Sequence, residues 1–281
     1  MSQIRLQSIR RTFSQPRGSG FTALNDLDFA VEKGTFVSLV GPSGCGKSTL
    51  LNLVAGFDRA DAGSVLVNGQ PVTGPGPDRV VVFQEPALFP WLSLVENVAF
   101  GLKQRRVAPA ERTAQAREQL HAVHLGRFAD RYPHELSGGM RQRAAIARAL
   151  ALDPEILLMD EPFAALDEQT KFVLQKDLEE IWMRTGKTVV FVTHNIREAL
   201  ILSDRVVVMG TLPGRIKREL VVPSPRPRNP TDPDLVRLET LIMEDLAEEL
   251  EKVLKQELDF EYHLAKDSVP RAPGDSLGSG I

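Results

Sequence analysis

A strand-like run, Thr35 to Val40, leads directly into Gly41-Pro42-Ser43-Gly44-Cys45-Gly46-Lys47-Ser48-Thr49, and a helix-like run follows until Gly56 stops it. A glycine loop of this spacing, set between a buried strand and a helix, restricts the chain to folds that wrap backbone N–H groups around a phosphate. The glycines let those N–H groups turn inward, and the helix presents its positive end to the same anion. Lys47 is expected to meet the β- and γ-phosphates of a nucleotide, and the Ser48 hydroxyl to coordinate Mg²⁺. Cys45, the only cysteine, reads as a small side chain tolerated inside the loop.

The pattern around the loop predicts an α/β protein with an open, mostly parallel sheet. Ile4 to Ile9 alternates apolar and polar residues as an edge strand does, and residues 21–32 read as a second short strand with Phe29 and Val31 on one face. Val65-Leu66-Val67 precedes an Asn68-Gly69 turn. Prolines at 86, 90, 109 and 133 punctuate a helical insertion over residues 86–135. Two parallel-type strands, Glu155 to Met159 and Thr188 to Thr193, flank a helix with apolar positions at Phe172, Leu174, Leu178 and Ile181.

Composition narrows the partners. The formal net charge of −3 gives no general pull toward nucleic acid, and a single cysteine excludes an intrachain disulfide and argues against a cysteine-held metal. No apolar run approaches the ~20 residues of a membrane span, and the N-terminus shows no apolar signal-peptide core. The charge is uneven: residues 231–281 hold 13 acidic and 5 basic side chains. Pro223 to Pro230 reads as an extended linker, and residues 234–260 as an amphipathic helix with an acidic outer face. Residues 261–281 have the composition of a disordered tail.

A second set of motifs carries chemistry. Ile156-Leu157-Leu158-Met159-Asp160-Glu161 is a strand ending in two acids, with Asp160 suited to the Mg²⁺ shell through water and Glu161 to activation of an attacking water. Leu136-Ser137-Gly138-Gly139-Met140 opens another helix, Gln84 follows the Val80-Val81-Val82-Phe83 run, Ala165-Leu166-Asp167 follows the acidic pair, and His194 follows a strand. In this order and spacing the chain resembles the ATP-binding subunit of ABC transporters over roughly residues 3–222. Residues 136–140 match the LSGGQ signature with Met140 in place of glutamine, Gln84 the Q-loop, residues 165–167 the D-loop, and His194 the switch histidine.

The resemblance implies a phosphate-loop NTPase cassette: a RecA-like core, an antiparallel β subdomain and a helical subdomain over about 86–150, together spanning residues 1–222, with a linker at 223–233. It implies ATP and Mg²⁺ as ligands, with Ser48, Gln84 and Asp160 toward the metal, and Glu161, His194 and Gln84 in hydrolysis. Phe13 falls where the family stacks an aromatic ring on adenine. Phe21 is the weaker choice, read instead as a core residue of its strand. Ser137, Gly138 and Gly139 are implied to face the nucleotide of another copy, so that ATP closes a head-to-tail homodimer, or a dimer with a close paralogue.

Pro90-Trp91 and Pro225-Arg226-Pro227-Arg228 resemble importers of nitrate, sulfonates, taurine or bicarbonate. That implies an integral membrane permease, gripped through Phe89, Trp91 and Leu92, and indirectly an extracytoplasmic solute-binding protein. The chain would then sit peripherally on the cytoplasmic face of the membrane. An ABC-type ATPase acting on nucleic acid or the ribosome is the alternative; it is disfavoured by the single cassette and by the lack of a coiled-coil insertion or zinc cysteines.

Overall fold

The computed structural model describes residues 2–14 and 20–258; the expected tail at 261–281 lies outside the described residues. Two sheets organise the chain. β1 (Ser2–Phe13), β2 (Phe21–Glu32), β4 (Ala62–Val67) and β5 (Gln70–Pro71) form an antiparallel sheet in the order β2-β1-β4-β5. Ile4, Leu6 and Ile9 thus lie on an inner strand, not the edge their alternation suggested: one face of β1 is buried while both of its edges are paired, and alternation reports only faces. The β4–β5 turn has Asn68 and Gly69 at φ 51° and 76°, the left-handed pair that a tight hairpin requires.

The second sheet has six strands in the order β10-β9-β3-β8-β7-β6, made of β3 (Phe36–Val40), β6 (Arg79–Val82), β7 (Ile156–Asp160), β8 (Thr188–Val192), β9 (Arg205–Gly210) and β10 (Arg215–Val221). All neighbours are parallel except β9 and β10. β3 and β8 are buried along their whole length, as central parallel strands covered on both faces must be. α1 (Lys47–Ala55) packs its leucines with the antiparallel sheet against one face of this core. On the other face lie α5 (Glu168–Thr185) and the helical unit of α2 (Leu94–Gln104), α3 (Pro109–Ala122) and α4 (Gly138–Leu150). In α5, Leu174, Leu178 and Ile181 are buried, whereas Phe172, expected among them, points to solvent.

α6 (Ile196–Leu202) and α7 (Pro233–Leu258) close the far side, where Leu235 and Ile242 of α7 share an apolar cluster with Ala199, Leu200, Val206 and Val208. Residues 223–232 form no helix or strand. The Arg228 guanidinium is nonetheless buried and donates to the carbonyls of Leu200, Ile201 and Ser203 at the C-terminal end of α6. Burial, helped by the neighbouring Arg226 charge, depresses its pKa to about 10, so the cation persists at neutral pH.

α7 also departs from its expected acidic outer face, because Asp245 and Glu249 point inward. Asp245 receives two hydrogen bonds from Arg218, at 2.5 and 3.2 Å. Glu249 accepts from the Thr211 N–H at 2.9 Å and pairs with Arg215, Lys217 and Lys252. Burial works against the Glu249 carboxylate, but Lys252 and the Thr211 N–H outweigh it and hold its pKa below the ordinary value. Its contribution to stability is therefore present above that ordinary value and lost as pH falls through the folded value. We expect Glu249→Gln to destabilise the chain by about 1–3 kcal/mol at neutral pH, with the gap to the native protein closing as pH falls below the ordinary carboxylate range, as read by urea unfolding across pH.

Candidate active site

The phosphate-binding loop is shaped by close backbone approaches. Gly46, the residue before α1, sits at φ 94°, and a Cβ there would lie 2.5 Å from Leu24 Cδ2. Only glycine fits both the angle and the space. The Cys45 side chain is fully buried away from the cleft, and burial raises its thiol pKa, so it is inert packing under the loop. Lys47 is 7% exposed, and its ammonium donates to the carbonyls of Gly41 and Pro42 at 2.8 and 2.9 Å. A cleft of about 310 Å³ opens over the loop, lined by Ser43, Gly44, Gly46, Lys47, Ser48, Thr49 and Glu161, with Phe13 and Phe21 also on its wall.

Phe13 and Phe21 are paired directly across β1 and β2, and are 38% and 40% exposed. Phe21 is thus no core residue. It lies at the strand end, where a side chain can face the cleft. The Arg11 guanidinium lies 4.5 Å from the centre of the Phe13 ring.

Strand ends bring the acids to the loop. Ser48 donates to Asp160 Oδ1 at 3.2 Å. Burial raises the Asp160 pKa, with the neighbouring Glu161 charge adding to it and the Ser48 hydrogen bond opposing it. A hydroxyl and a carboxylate side by side are the hard oxygen donors that suit Mg²⁺. Gln84 is exposed two residues beyond β6, and among the described residues it makes no hydrogen bond to Ser48 or Asp160. Glu161 sits in the left-handed region at φ 45°, its N–H donating to the Val192 carbonyl at 2.9 Å, and its Oε2 lies 2.9 Å from His194 Nδ1. Non-glycine residues held there store backbone strain.

His194 is presented by a tight polar turn. The Thr193 hydroxyl accepts from the Asn195 N–H at 3.0 Å and donates to the buried Glu198 at 2.7 Å. Asn195 caps α6 by accepting from the Glu198 N–H. Burial raises the Glu198 pKa, although the Thr193 bond and Lys171 oppose it. The sequence reading passed over Glu198; an acid on the apolar side of a short helix was its signal.

The second glycine segment stands apart, since none of Leu136 to Met140 lines the loop cleft. Ser137 caps α4 by accepting from the Met140 N–H at 3.3 Å. Ser137 and Gly138 are exposed, and the first turn carries no acid, so the positive end of α4 faces outward. Gly139 is buried, and a Cβ there would come 2.4 Å from Thr170 Cγ2 of α5. Met140 packs against the core of the helical unit, which accounts for an apolar residue in place of glutamine.

Two residues of α4 were also missed: Gln142 donates to the Phe83 carbonyl at 3.3 Å, and Arg148 to the carbonyls of Pro86 and Ala87 at 2.9 and 2.7 Å. They tie the helix to the segment bearing Gln84. Their signal is polar side chains on the alanine-rich side of an otherwise buried helix.

A separate groove of about 430 Å³ runs along α2, lined by Trp91, Leu92, Val95, Ala99, Phe100 and Arg112 among others. Trp91 is 70% exposed, so it does not pack the interior of the helical unit. Phe89 bridges it to Phe100, with ring centres 5.7 and 4.5 Å apart.

Known proteins resemble this chain over most of its length. The ABC transporter family profile matches residues 24–164. The chain is 44% identical to the taurine import ATP-binding protein of Pelagibacter ubique, over 79% of this chain and 84% of that one. It is 47% identical to the nitrate import ATP-binding protein of a Synechocystis strain, over 79% and 83%. Among solved structures, a dimeric ATP-binding cassette in a post-hydrolysis state with ADP and phosphate superposes with a TM-score of 0.70, at 34% identity, over 79% of this chain and 99% of that one.

The strained Glu161 backbone gives a direct test. Asparagine tolerates the left-handed region, so Glu161→Asn should raise stability by about 0.5–1 kcal/mol in urea unfolding. A loss instead would show that the Glu161–His194 contact outweighs the strain.

Proposed function

Because the chain belongs to the ABC transporter family and is an ATPase of that kind, we propose that it powers import of a small anion through a membrane permease, by ATP-driven closure of two cassettes. The observation that carries this reading is the separation of its two glycine segments. The loop cleft gathers Lys47, Ser48 and Glu161, while the exposed positive end of α4 is not part of its lining. A helix N-terminus without an acid in its first turn suits the phosphate of a nucleotide held by another copy.

In this mechanism ATP lies on the loop. Its base stacks on Phe13, with Phe21 beside it, and Lys47 exchanges the Gly41 and Pro42 carbonyls for the β- and γ-phosphate oxygens. Ser48 and Asp160, joined by Gln84 on closure, would hold Mg²⁺, which when bound neutralises phosphate charge. Glu161 takes a proton from the attacking water as the new P–O bond forms and the bond to the leaving diphosphate breaks. His194, oriented by Glu161 and the Thr193–Glu198 turn, contacts the γ-phosphate. Ser137, Gly138 and Gly139 donate to the same phosphate from the opposing copy. Hydrolysis removes that anchor and lets the copies part.

The α2 groove with its exposed Trp91 suits an apolar segment of the permease, which would hold this chain on the cytoplasmic face of the membrane; among the described residues no helix is long and apolar enough to cross it. The relatives named for taurine and for nitrate import support a small oxyanion or sulfonate as the solute, passed to the permease by an extracytoplasmic binding protein. Loss of nitrate or taurine uptake on deletion of the gene is the expected outcome, and loss of only cation or peptide uptake would refute the anion.

Three substitutions separate the parts of the mechanism. Glu161→Gln should lower kcat by at least about 100-fold and leave an ATP-bound dimer on a sizing column. Lys47→Ala should abolish most ATP affinity in a fluorescent-nucleotide titration. Ser137→Arg should leave single-chain ATP binding intact but prevent the dimer. Normal turnover by Glu161→Gln, or equal loss of binding and dimerisation with Ser137→Arg, would sink the composite site.

A further inference from the structure

α7 is apolar on two faces, and among the described residues only one is packed. The first, through Leu235 and Ile242, is packed on the ATPase body. The second is a stripe of Val236, Thr240, Met243, Ala247, Leu250 and Leu254, stepping alternately by four and three residues. Val236, Met243 and Leu250 are 48%, 57% and 46% exposed. The Thr240 hydroxyl is spent on the Val236 carbonyl at 3.0 Å, so the stripe has no unsatisfied polar group there. Alternating four-and-three spacing is the seam of a two-helix coiled coil, and packing on the body does not need it.

We propose that this stripe pairs α7 with the α7 of a second copy of the chain, antiparallel, in a contact that requires no nucleotide. The commitment to a second copy rests on self-complementarity. In an antiparallel pair centred on residue 245, Val236 meets Leu254 of the second copy, Thr240 meets Leu250, and Met243 meets Ala247, so each layer sets a large side chain against a smaller one. The same register brings Arg237, twice by symmetry, beside Glu251 of the second copy, a carboxylate that also pairs with its own Lys255 at 2.8 Å, and it sets Glu244 against Glu244. A parallel pair would instead stack Thr240 on Thr240 and Ala247 on Ala247, leaving two thin layers in the seam. The proposal goes beyond the ATP-dependent dimer, which closes through the loop and α4.

Mixing Met243→Cys chains with Ala247→Cys chains, full-length and without nucleotide, tests the register. Under mild oxidation the mixture should yield a disulfide-linked dimer at several-fold, roughly fivefold, the level of either chain alone, since only that pair brings Cα atoms within bridging distance. Mixing Met243→Cys with Val236→Cys should not exceed background. The buried Cys45 stays as it is.

Linkage should survive Lys47→Ala, which removes the ATP-driven dimer, and sedimentation of Met243→Glu should show monomer where the native chain shows dimer. Linkage only in the presence of ATP would overturn the proposal. So would a monomeric native chain, whether its Met243→Cys thiol reacts freely with maleimide, leaving the stripe bare, or resists it, which would mean that residues 259–281 of the same chain cover the stripe. Ser137→Arg reports on the composite site independently, so failure of one dimer is told apart from failure of the other.

Discussion

The Lys47 ammonium is the charge around which the rest is arranged. Taking an ammonium out of water costs several kcal/mol unless it is met by fixed dipoles. Here the Gly41 and Pro42 carbonyls meet it, and they can do so only because the loop doubles back tightly between β3 and α1. That turn demands the left-handed Gly46, the close approach of Leu24 from β2, and a Gly214 whose Cβ would strike the Cys45 carbonyl at 2.3 Å. Both sheets and the β9–β10 connection therefore converge on one short segment. Its two carbonyls are exchangeable partners, so the site is preorganised for an anion without burying an unmet charge.

Wherever burial dictated residue type, the sequence was legible. The uninterrupted apolar runs of β3 and β8, the glycine stop of α1 and the acids ending β7 all follow from local chemistry. The motifs of the candidate site were legible by spacing. What escaped was polar chemistry that faces inward, because a single helix turn does not reveal what will pack on it. Asp245 and Glu249 look like solvated acids until β10 supplies Arg215, Lys217 and Arg218. Arg228 looks like linker until the C-terminal carbonyls of α6 arrive beside it. Phe172 and Phe21 failed the opposite way, as apolar residues that no neighbouring element among the described residues covers.

Those inward polar contacts join parts of the site that lie far apart in sequence. α4 carries the exposed Ser137 and Gly138 at one end, while Gln142 and Arg148 along its length grip the backbone on either side of Gln84. A shift of the 83–89 segment thus cannot leave α4 in place without breaking charge-assisted bonds. α6 is held in the same manner at both ends, by the Thr193–Glu198 turn that presents His194 and by Arg228 on its last carbonyls. These are physical links between discrete elements, which is what the proposed coupling between the α2 groove and the loop cleft requires.

α7 packs on α6 and β9, neither of which lines the loop cleft. Glu249 bonds the Thr211 N–H in the loop that packs over Cys45, so α7 moves with the phosphate loop of its own chain. In the proposed mechanism, a contact between two such helices would keep two loops near one another once hydrolysis releases the α4 contacts. The next closure is then an intramolecular event, governed by an effective concentration and not by the bulk concentration of free cassettes. Charge sets the limit on that contact: the two Arg237–Glu251 pairings must outweigh Glu244 facing its own copy. The margin is therefore small, salt-dependent, and compatible with a tether that yields when the cassettes rotate.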